Sequence, residues 1–292
     1  MMKHEHSSQE GAPWRPEGKG QGDQGSALFG AVRREGSAMA QCHISLVGAG
    51  PGPLELLTLR ALRRIEAAEA VVYDRLVGAE ILARIPVGAA RFDVGKRCGE
   101  PSPSQQEINA LLLALARTGK RVVRLKGGDP LIFGRGGEEA LHLARHGFEA
   151  ELVPGITAAL GCAASSAIPL TQRGLARSVT LLTGHLQGGE QFGGWGALVA
   201  AGHTLVCYMG LEQAARIEAG LRGAGADAAL PVALIVAGCS ERERVVRCRL
   251  DGLSRAALAL EGETPVLIIL GQVVALRDEL KGLLGALASR VA

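Results

Sequence analysis

The sequence predicts an α/β fold of two α/β domains with mostly parallel sheets. Three observations carry that prediction. The chain has 292 residues, and roughly 150 residues per domain suggests about two domains. Short apolar runs alternate with stretches of helical period along most of the chain. Those runs lack the polar alternation of a half-exposed strand, so they read as strands buried on both faces, the usual habit of parallel sheets.

Each element has a local reason. Residues 1–40 stand outside the pattern: they are rich in Gly, Ser, Gln, Glu and Lys without helical or strand period, and predict a disordered tail. Translation starting at Met39 is an equally plain reading of that segment. His4 and His6 lie in it and read as solvated, not as metal ligands. HISLVGAG (43–50) is an apolar strand ending in glycines, 56–70 has helical spacing, and VVYD (71–74) is a strand. Ser104 to Thr118 is a helix, with Ser104 and Glu107 spaced as a capping box. RVVRLKGGDP (121–130) is a strand running into a glycine turn, and 136–147 is a helix stopped by Gly147. ELVPGITAA (151–159) carries a strand, a Pro-Gly break and a new helix. SVTLLTGH (178–185), TLVCYMG (204–210), PVALIVAG (231–238) and TPVLIILG (264–271) read as strands, and Gln187–Gly196 as a Gly-rich loop. A boundary near Val153–Gly155 divides an N-terminal domain (41–153) from a C-terminal one (154–292).

Composition narrows the function. Hydrophobic residues are 47% and charged residues 21%, enough for a core and too apolar for general disorder. The net charge of +3 is too mild for a general nucleic-acid binder, and 3% aromatics leaves little for base stacking. The six cysteines form no CxxC pair and sit in apolar segments, so they read as small hydrophobes, not as zinc or disulfide positions. No apolar run reaches the roughly 18 residues needed to span a bilayer, and no secretory h-region opens the chain. These features predict a cytoplasmic protein without metal, membrane or nucleic-acid partners.

Several motifs point to a small ligand. GAGPG (48–52) joins a strand to a helix, but Pro53 stands where a dinucleotide fingerprint needs glycine. The loop is a tight turn or a close backbone approach to a ligand. KGGDP (126–130) removes side chains at a strand end and offers Asp129 as an acceptor for a hydroxyl or amine, or simply as a turn residue. Lys96, Arg97, Arg124, Arg135 and Arg173 stand near glycines or predicted strand ends, where open α/β sheets bind ligands. Arg suits bidentate recognition of carboxylates, so the set suggests a polycarboxylate ligand. Asp74 ends a strand and Glu138 starts a helix; each is a cap or a general base. Met209 is core, or a soft wall for an adenine or sulfonium group.

Taken in order, VGAGPG (47–52), VVYDRLV (71–77), VGKRCGEPSPSQQEIN (94–109), RLKGGDPLIFGRGGEEA (124–140), VPGITAALG (153–161), IPLTQR (168–173), LLTGH (181–185) and YMG (208–210) resemble the tetrapyrrole methylases. The Gly95–Asn109 stretch resembles the branch acting on uroporphyrinogen III. The resemblance implies a homodimer with a cleft between two α/β domains, where S-adenosylmethionine (AdoMet) binds. Its contacts would be Pro51, Gly127, Gly128, Asp129, Ile132, Thr157, Ala158, Met209 and Gly238. The implied reaction adds two methyl groups to uroporphyrinogen III, giving precorrin-2 for sirohaem or cobalamin synthesis. Asp74 matches the family's proton acceptor and Lys96 its proton donor. The family residues matching Arg135, Glu138 and Arg173 lie in the substrate region, and Arg97 and Arg124, read above as cations near strand ends, are taken with them as substrate contacts. The physical logic agrees: the macrocycle must lose a proton after carbon attack, which needs a carboxylate base, and Asp74 and Glu138 both qualify. Pro53, Ser165 and Gln172 depart from residues common in the family. Some relatives carry a fused dehydrogenase–ferrochelatase module, and the short tail predicts a monofunctional chain. A later precorrin or cobalt-precorrin methylase, a nicotinamide-dependent oxidoreductase and a non-catalytic scaffold are the competing readings.

Overall fold

The computed structural model describes residues 44–95, 103–184 and 194–291, with side chains as far as Leu283. The tail, Cys42, Cys98 and most of the Gly-rich loop lie outside the described residues.

A first sheet is built from β1 (Ile44–Gly48), β2 (Ala70–Tyr73), β3 (Ala90–Asp93), β4 (Val122–Lys126) and β5 (Ala150–Val153), in the order β3-β2-β4-β1-β5. Every pairing is parallel. Helices cover both faces, as a parallel sheet requires. One face packs Val47, Val71, Val123 and Leu125 against Ala61 and Ile65 of α1 (Leu59–Glu66) and Ile81 of α2 (Ala79–Leu82). The other packs Ile44, Val72 and Val122 against Ile108 and Leu112 of α3 (Gln105–Ala116) and Leu143 of α4 (Gly136–Arg145). Each buried Ile or Leu contributes about 1.5–3 kcal/mol of transfer free energy. Alternation along β4 therefore sends Val122, Arg124 and Lys126 toward α3 and α4. The capping box stands as expected: Glu107 N–H donates to Ser104 Oγ (3.2 Å), and Ser104 N–H donates to Glu107 Oε2 (2.7 Å).

The chain then enters α5 (Ala158–Ser165) and a second sheet, β6 (Val179–Thr183), β7 (Thr204–Tyr208), β8 (Pro231–Val236), β9 (Arg244–Arg249) and β10 (Val266–Leu270), in the order β6-β7-β10-β8-β9. Only β6 and β7 pair in parallel; the other three pairings are antiparallel. This corrects the expectation of a mostly parallel second sheet. The apolar strands correctly signalled burial on two faces. One face of the sheet packs on Ile217 and Leu221 of α7 (Ala214–Gly223) and Leu253 and Ala257 of α8 (Leu253–Leu258), the other on Ala159 and Cys162 of α5 and on Val273 and Val274. Two-sided burial leaves strand direction open. Edge strands β3 and β9 escaped the sequence reading because they are short or arginine-rich. Trp195 and Gly196 of the supposed Gly-rich loop begin α6 (Trp195–Ala201), and α9 (Leu276–Val291) closes the chain. No described helix is long and apolar enough to cross a membrane.

Candidate active site

Three loops meet beyond the carboxyl ends of β1, β4 and β5, and glycine makes the meeting possible. Gly50 and Gly128 exchange backbone hydrogen bonds, Gly50 N to Gly128 O at 3.1 Å and Gly128 N to Gly50 O at 2.7 Å. Both have left-handed backbones, with φ of 69° and 66°. A Cβ on Gly48 would lie 2.5 Å from Gly155 N, and one on Gly155 would lie 2.2 Å from Gly128 O. Asp129 ties the loops together: Oδ1 accepts from Leu131 N (2.8 Å) and Oδ2 from Gly155 N (3.1 Å). The turn role and the acceptor role expected for Asp129 are thus compatible, because each carboxylate oxygen keeps a lone pair.

The second sheet closes the other side. Tyr208, at the end of β7, places its hydroxyl 2.6 Å from Thr157 Oγ1 and accepts from Ala159 N at 2.9 Å. Thr157 makes no side-chain cap for α5, so Tyr208 satisfies a helix-start N–H that the cap residue leaves free. Burial pushes the Tyr208 phenol up. The ring of Phe133 leans on that of Tyr208 with centroids 4.9 Å apart. Phe133, Arg135, Met209, Ala237 and Cys239 all have positive φ, between 48° and 62°. Strained non-glycine residues cluster at functional sites, and these lie after β4, β7 and β8. Met209 is 54% exposed, which removes it from the core and leaves it as a wall.

Contacts link the residues expected to hold the cofactor. A Cβ on Gly128 would lie 3.8 Å from both Thr157 Cα and Ala158 N, and one on Gly161 would lie 2.6 Å from Pro51 Cγ and 3.0 Å from Cys239 Sγ. One on Gly238 would meet Cys162 Sγ at 2.4 Å, and one on Gly127 would meet Leu76 Cβ at 2.8 Å. Ile132 is exposed beside Phe133. An open cleft of about 730 Å³ is lined by Ile156, Leu160 and Gly161. Pro53 and Ser165, two of the departures noted in the sequence, both line it, along with Cys239 and Glu243.

Charge concentrates on the α3/α4 side of the first sheet. Asp74 follows β2 and is 29% exposed. Arg124 donates to it through Nη2 at 2.6 Å, and Lys126 Nζ lies 3.9 Å from its other oxygen. Glu139 on α4 accepts on Oε1 from Lys126 Nζ (2.9 Å), Arg124 Nε (3.2 Å) and Gln105 Nε2 (3.2 Å). Its side chain is 0% exposed. Burial and the neighbouring Arg124 pull the Lys126 ammonium below its usual range, against the pull of Glu139 and Asp74.

The expected substrate residues divide. Arg124 is buried where a substrate contact was expected: its strand position faces α3 and α4, it is 2% exposed, and it bonds Asp74, Glu139 and two carbonyls. Arg135 and Glu138 are exposed and paired with each other at 2.9 and 2.6 Å. The Arg135 guanidinium holds the Glu138 carboxyl below its usual range. Both candidate bases are thus paired with an arginine, Asp74 with a buried one and Glu138 with an exposed one. Arg173 is exposed in the turn before β6, where it lines a hollow of about 400 Å³ with Gln172 and Arg177. Lys96 and Arg97 lie outside the described residues. The sequence reading missed Lys126, Glu139 and Tyr208. The first two had a signal: Lys126 alternates with Arg124, and Gly136, Glu139 and Leu143 share the buried face of α4.

Residues 43–254 match the family of tetrapyrrole (corrin/porphyrin) methylases. The chain belongs to the tetrapyrrole methylases. It is 54% identical over 238 residues to a protein of Cronobacter sakazakii named siroheme synthase 2, and 53% identical to siroheme synthase of Salmonella typhi. Each match covers 82% of this chain and 51% of the relative, so the chain spans about half the length of these curated relatives. Among solved structures it resembles uroporphyrin-III C-methyl transferase from Thermus thermophilus, complexed with S-adenyl homocysteine. There the TM-score is 0.69 with 41% identity, covering 80% of this chain and 99% of the other. A cobalt precorrin-4 methyltransferase gives a TM-score of 0.71 at 25% identity, covering 80% and 97%. The fold alone is therefore shared by methylases of different substrates. The nicotinamide-dependent reading ends here, since this family carries methyl groups.

Proposed function

We propose that this methylase is an AdoMet-dependent uroporphyrinogen-III C-methyltransferase, making precorrin-2 by two methyl additions. The observation that carries the reading is Asp74, held at a strand end by a buried arginine beside a glycine-lined cradle. The 41% identity to the Thermus enzyme favours this substrate over a cobalt-precorrin at 25%. The bare backbone of Gly127 and Gly128 and the exposed Met209 suit AdoMet, whose contacts would be Pro51, Gly127, Gly128, Asp129, Ile132, Thr157, Ala158, Met209 and Gly238. When bound, AdoMet supplies a methyl group already activated by its sulfonium.

The chain's own residues then have three tasks. The loops after β1 and β4 and the Tyr208–Phe133 wall orient the donor and the macrocycle and exclude water. As the new carbon–carbon bond forms, the methyl–sulfur bond breaks and its electron pair leaves with sulfur. The ring proton at the attacked site passes to an Asp74 oxygen. Lys96 is the proton donor in this reading. Arg97, Arg135 and Arg173, with Glu138 poised on Arg135, receive the substrate's carboxylates; Arg135 exchanges its exposed surface partner at little cost. The reading includes a homodimer, a cytoplasmic location and two domains meeting near Val153–Gly155.

The test is an anaerobic assay with uroporphyrinogen III and methyl-labelled AdoMet, with product methyls counted by mass spectrometry. Two added methyls are expected. No transfer to uroporphyrinogen III, with transfer to a precorrin instead, would overturn the substrate assignment.

A further inference from the structure

We infer that Glu139 is a positioning residue for the base, acting on Asp74 through Arg124 and Lys126. The inference rests on the reading of Asp74 as base. The Glu139 side chain bonds Arg124, Lys126 and Gln105, and its backbone N–H donates to Arg135 O at 3.2 Å. It is fully buried in α4, and a buried carboxylate is retained only when partners compensate its desolvation. Its partners are the two cations that also face Asp74.

The geometry is lopsided in an informative way. Glu139 Oε1 accepts three hydrogen bonds, while Oε2 is buried with no partner among the described residues. A carboxylate serving only to staple α4 to the sheet would divide its donors between two oxygens. Here one oxygen gathers the guanidinium Nε and the ammonium together. That fixes the spacing of two side chains from alternate positions on β4. Arg124 has no rotational freedom left: Nε is on Glu139, Nη1 on the carbonyls of Val72 and Leu125, and Nη2 on Asp74.

The charged groups around Asp74 are Arg124 and Lys126 of β4, with Glu139 of α4 bonded to both and the amide of Gln105 from α3 on Glu139; Glu138 of α4 also lies within electrostatic reach of Lys126.

The experiment compares Glu139→Gln, Lys126→Met and the double variant in the anaerobic methyl-transfer assay, with Asp74→Asn as control. Rates are followed between about pH 5 and 9. Glu139→Gln should lower kcat about 10- to 100-fold, the scale of a misplaced catalytic group. KM for AdoMet and calorimetric binding of S-adenosylhomocysteine should stay unchanged. Lys126→Met should also lower kcat, and the double variant should lose less than the product of the two single losses, as residues of one network do. If Asp74→Asn is inactive while Glu139→Gln keeps the wild-type profile and kcat, the positioning role fails and the base assignment stands. If Asp74→Asn keeps full activity, the base assignment itself fails. Should Glu139→Gln not fold, Lys126→Met decides: a wild-type kcat there would overturn the role assigned to the network.

Discussion

The two sheets solve the same burial problem with different interiors. Both are five-stranded and covered on two faces, yet every buried charged residue among those described sits on the first: Arg124, Lys126 and Glu139. The layers around the second sheet bury only Ser166 and Thr204 as polar groups. Charge is expensive to bury, and here each buried charge has an opposite partner within the first sheet and its helices. The parallel sheet brings all its strand ends to one rim, and that rim carries Asp74 and the glycine cradle. The mixed sheet supplies a wall, Tyr208 and Met209, and an apolar scaffold behind it.

The sharpest way to break this comparison is to remove the base. Asp74→Asn should lower the methyl-transfer rate by about 10²- to 10⁴-fold, the usual worth of a general base. Binding of S-adenosylhomocysteine, read by calorimetry, should persist. A rate within tenfold of wild type would show that the charged rim of the first sheet is not the reacting one.

Next in size is a steric test of the cradle. Gly48→Ala puts a methyl 2.5 Å from Gly155 N and 2.6 Å from Gly128 O, with backbone on both sides. Forced overpacking costs about 1–3 kcal/mol or more, and a loss near the top of that range is expected in urea unfolding. Gly223→Ala in α7 is the contrasting control. Nothing lies within 4 Å of its Cβ position, so it should raise stability by about 0.5 kcal/mol. Equal losses at both sites would mean that the close approach of the three loops is not what glycine is for.

Much of this was legible beforehand. Ser104 and Glu107 announced α3, and GAGPG and KGGDP announced glycine turns at strand ends; that the two turns meet was not read. Strand direction in the second sheet was not legible, because an apolar run reports burial on two faces and nothing about its neighbour's polarity. The burial of Glu139 was readable: Gly136, Glu139 and Leu143 follow the i, i+3, i+7 spacing of a buried stripe, which places Glu138 outside. Tyr208 was out of reach, since its partners Thr157 and Ala159 lie on a different element about fifty residues earlier.

Tyr208→Phe tests the wall. It removes the oxygen that receives Ala159 N–H at 2.9 Å and bonds Thr157 at 2.6 Å. A half-buried N–H without its acceptor costs about 1–3 kcal/mol. A stability loss near 1–2 kcal/mol is expected, with weaker binding of S-adenosylhomocysteine, because Thr157 and Ala158 start the same helix. Lost stability with unchanged binding would confine Tyr208 to scaffolding and remove it from the site.

The smallest effect sets a partly exposed ion pair of the first sheet against its buried charge network. Arg64 of α1 holds Glu151 of β5 through two bonds, at 2.6 and 3.0 Å, and Ser45 adds a third at 2.9 Å. The Arg64 hydrogen bond holds the Glu151 carboxyl below its usual range, against partial burial. A carboxyl lowered in the folded state contributes stability above its unfolded pKa of about 4.3 and loses it as pH falls through the lower, folded value. Glu151→Gln should therefore destabilise at neutral pH and match wild type in acid. Both side chains are partly exposed, 46% and 33%, so solvent screening keeps the difference under about 1 kcal/mol. Urea unfolding at neutral and acidic pH reads it. A loss as large as that from Glu139→Gln would mean that burial does not separate the pair from the network, and the charged interior of the first sheet would need another explanation.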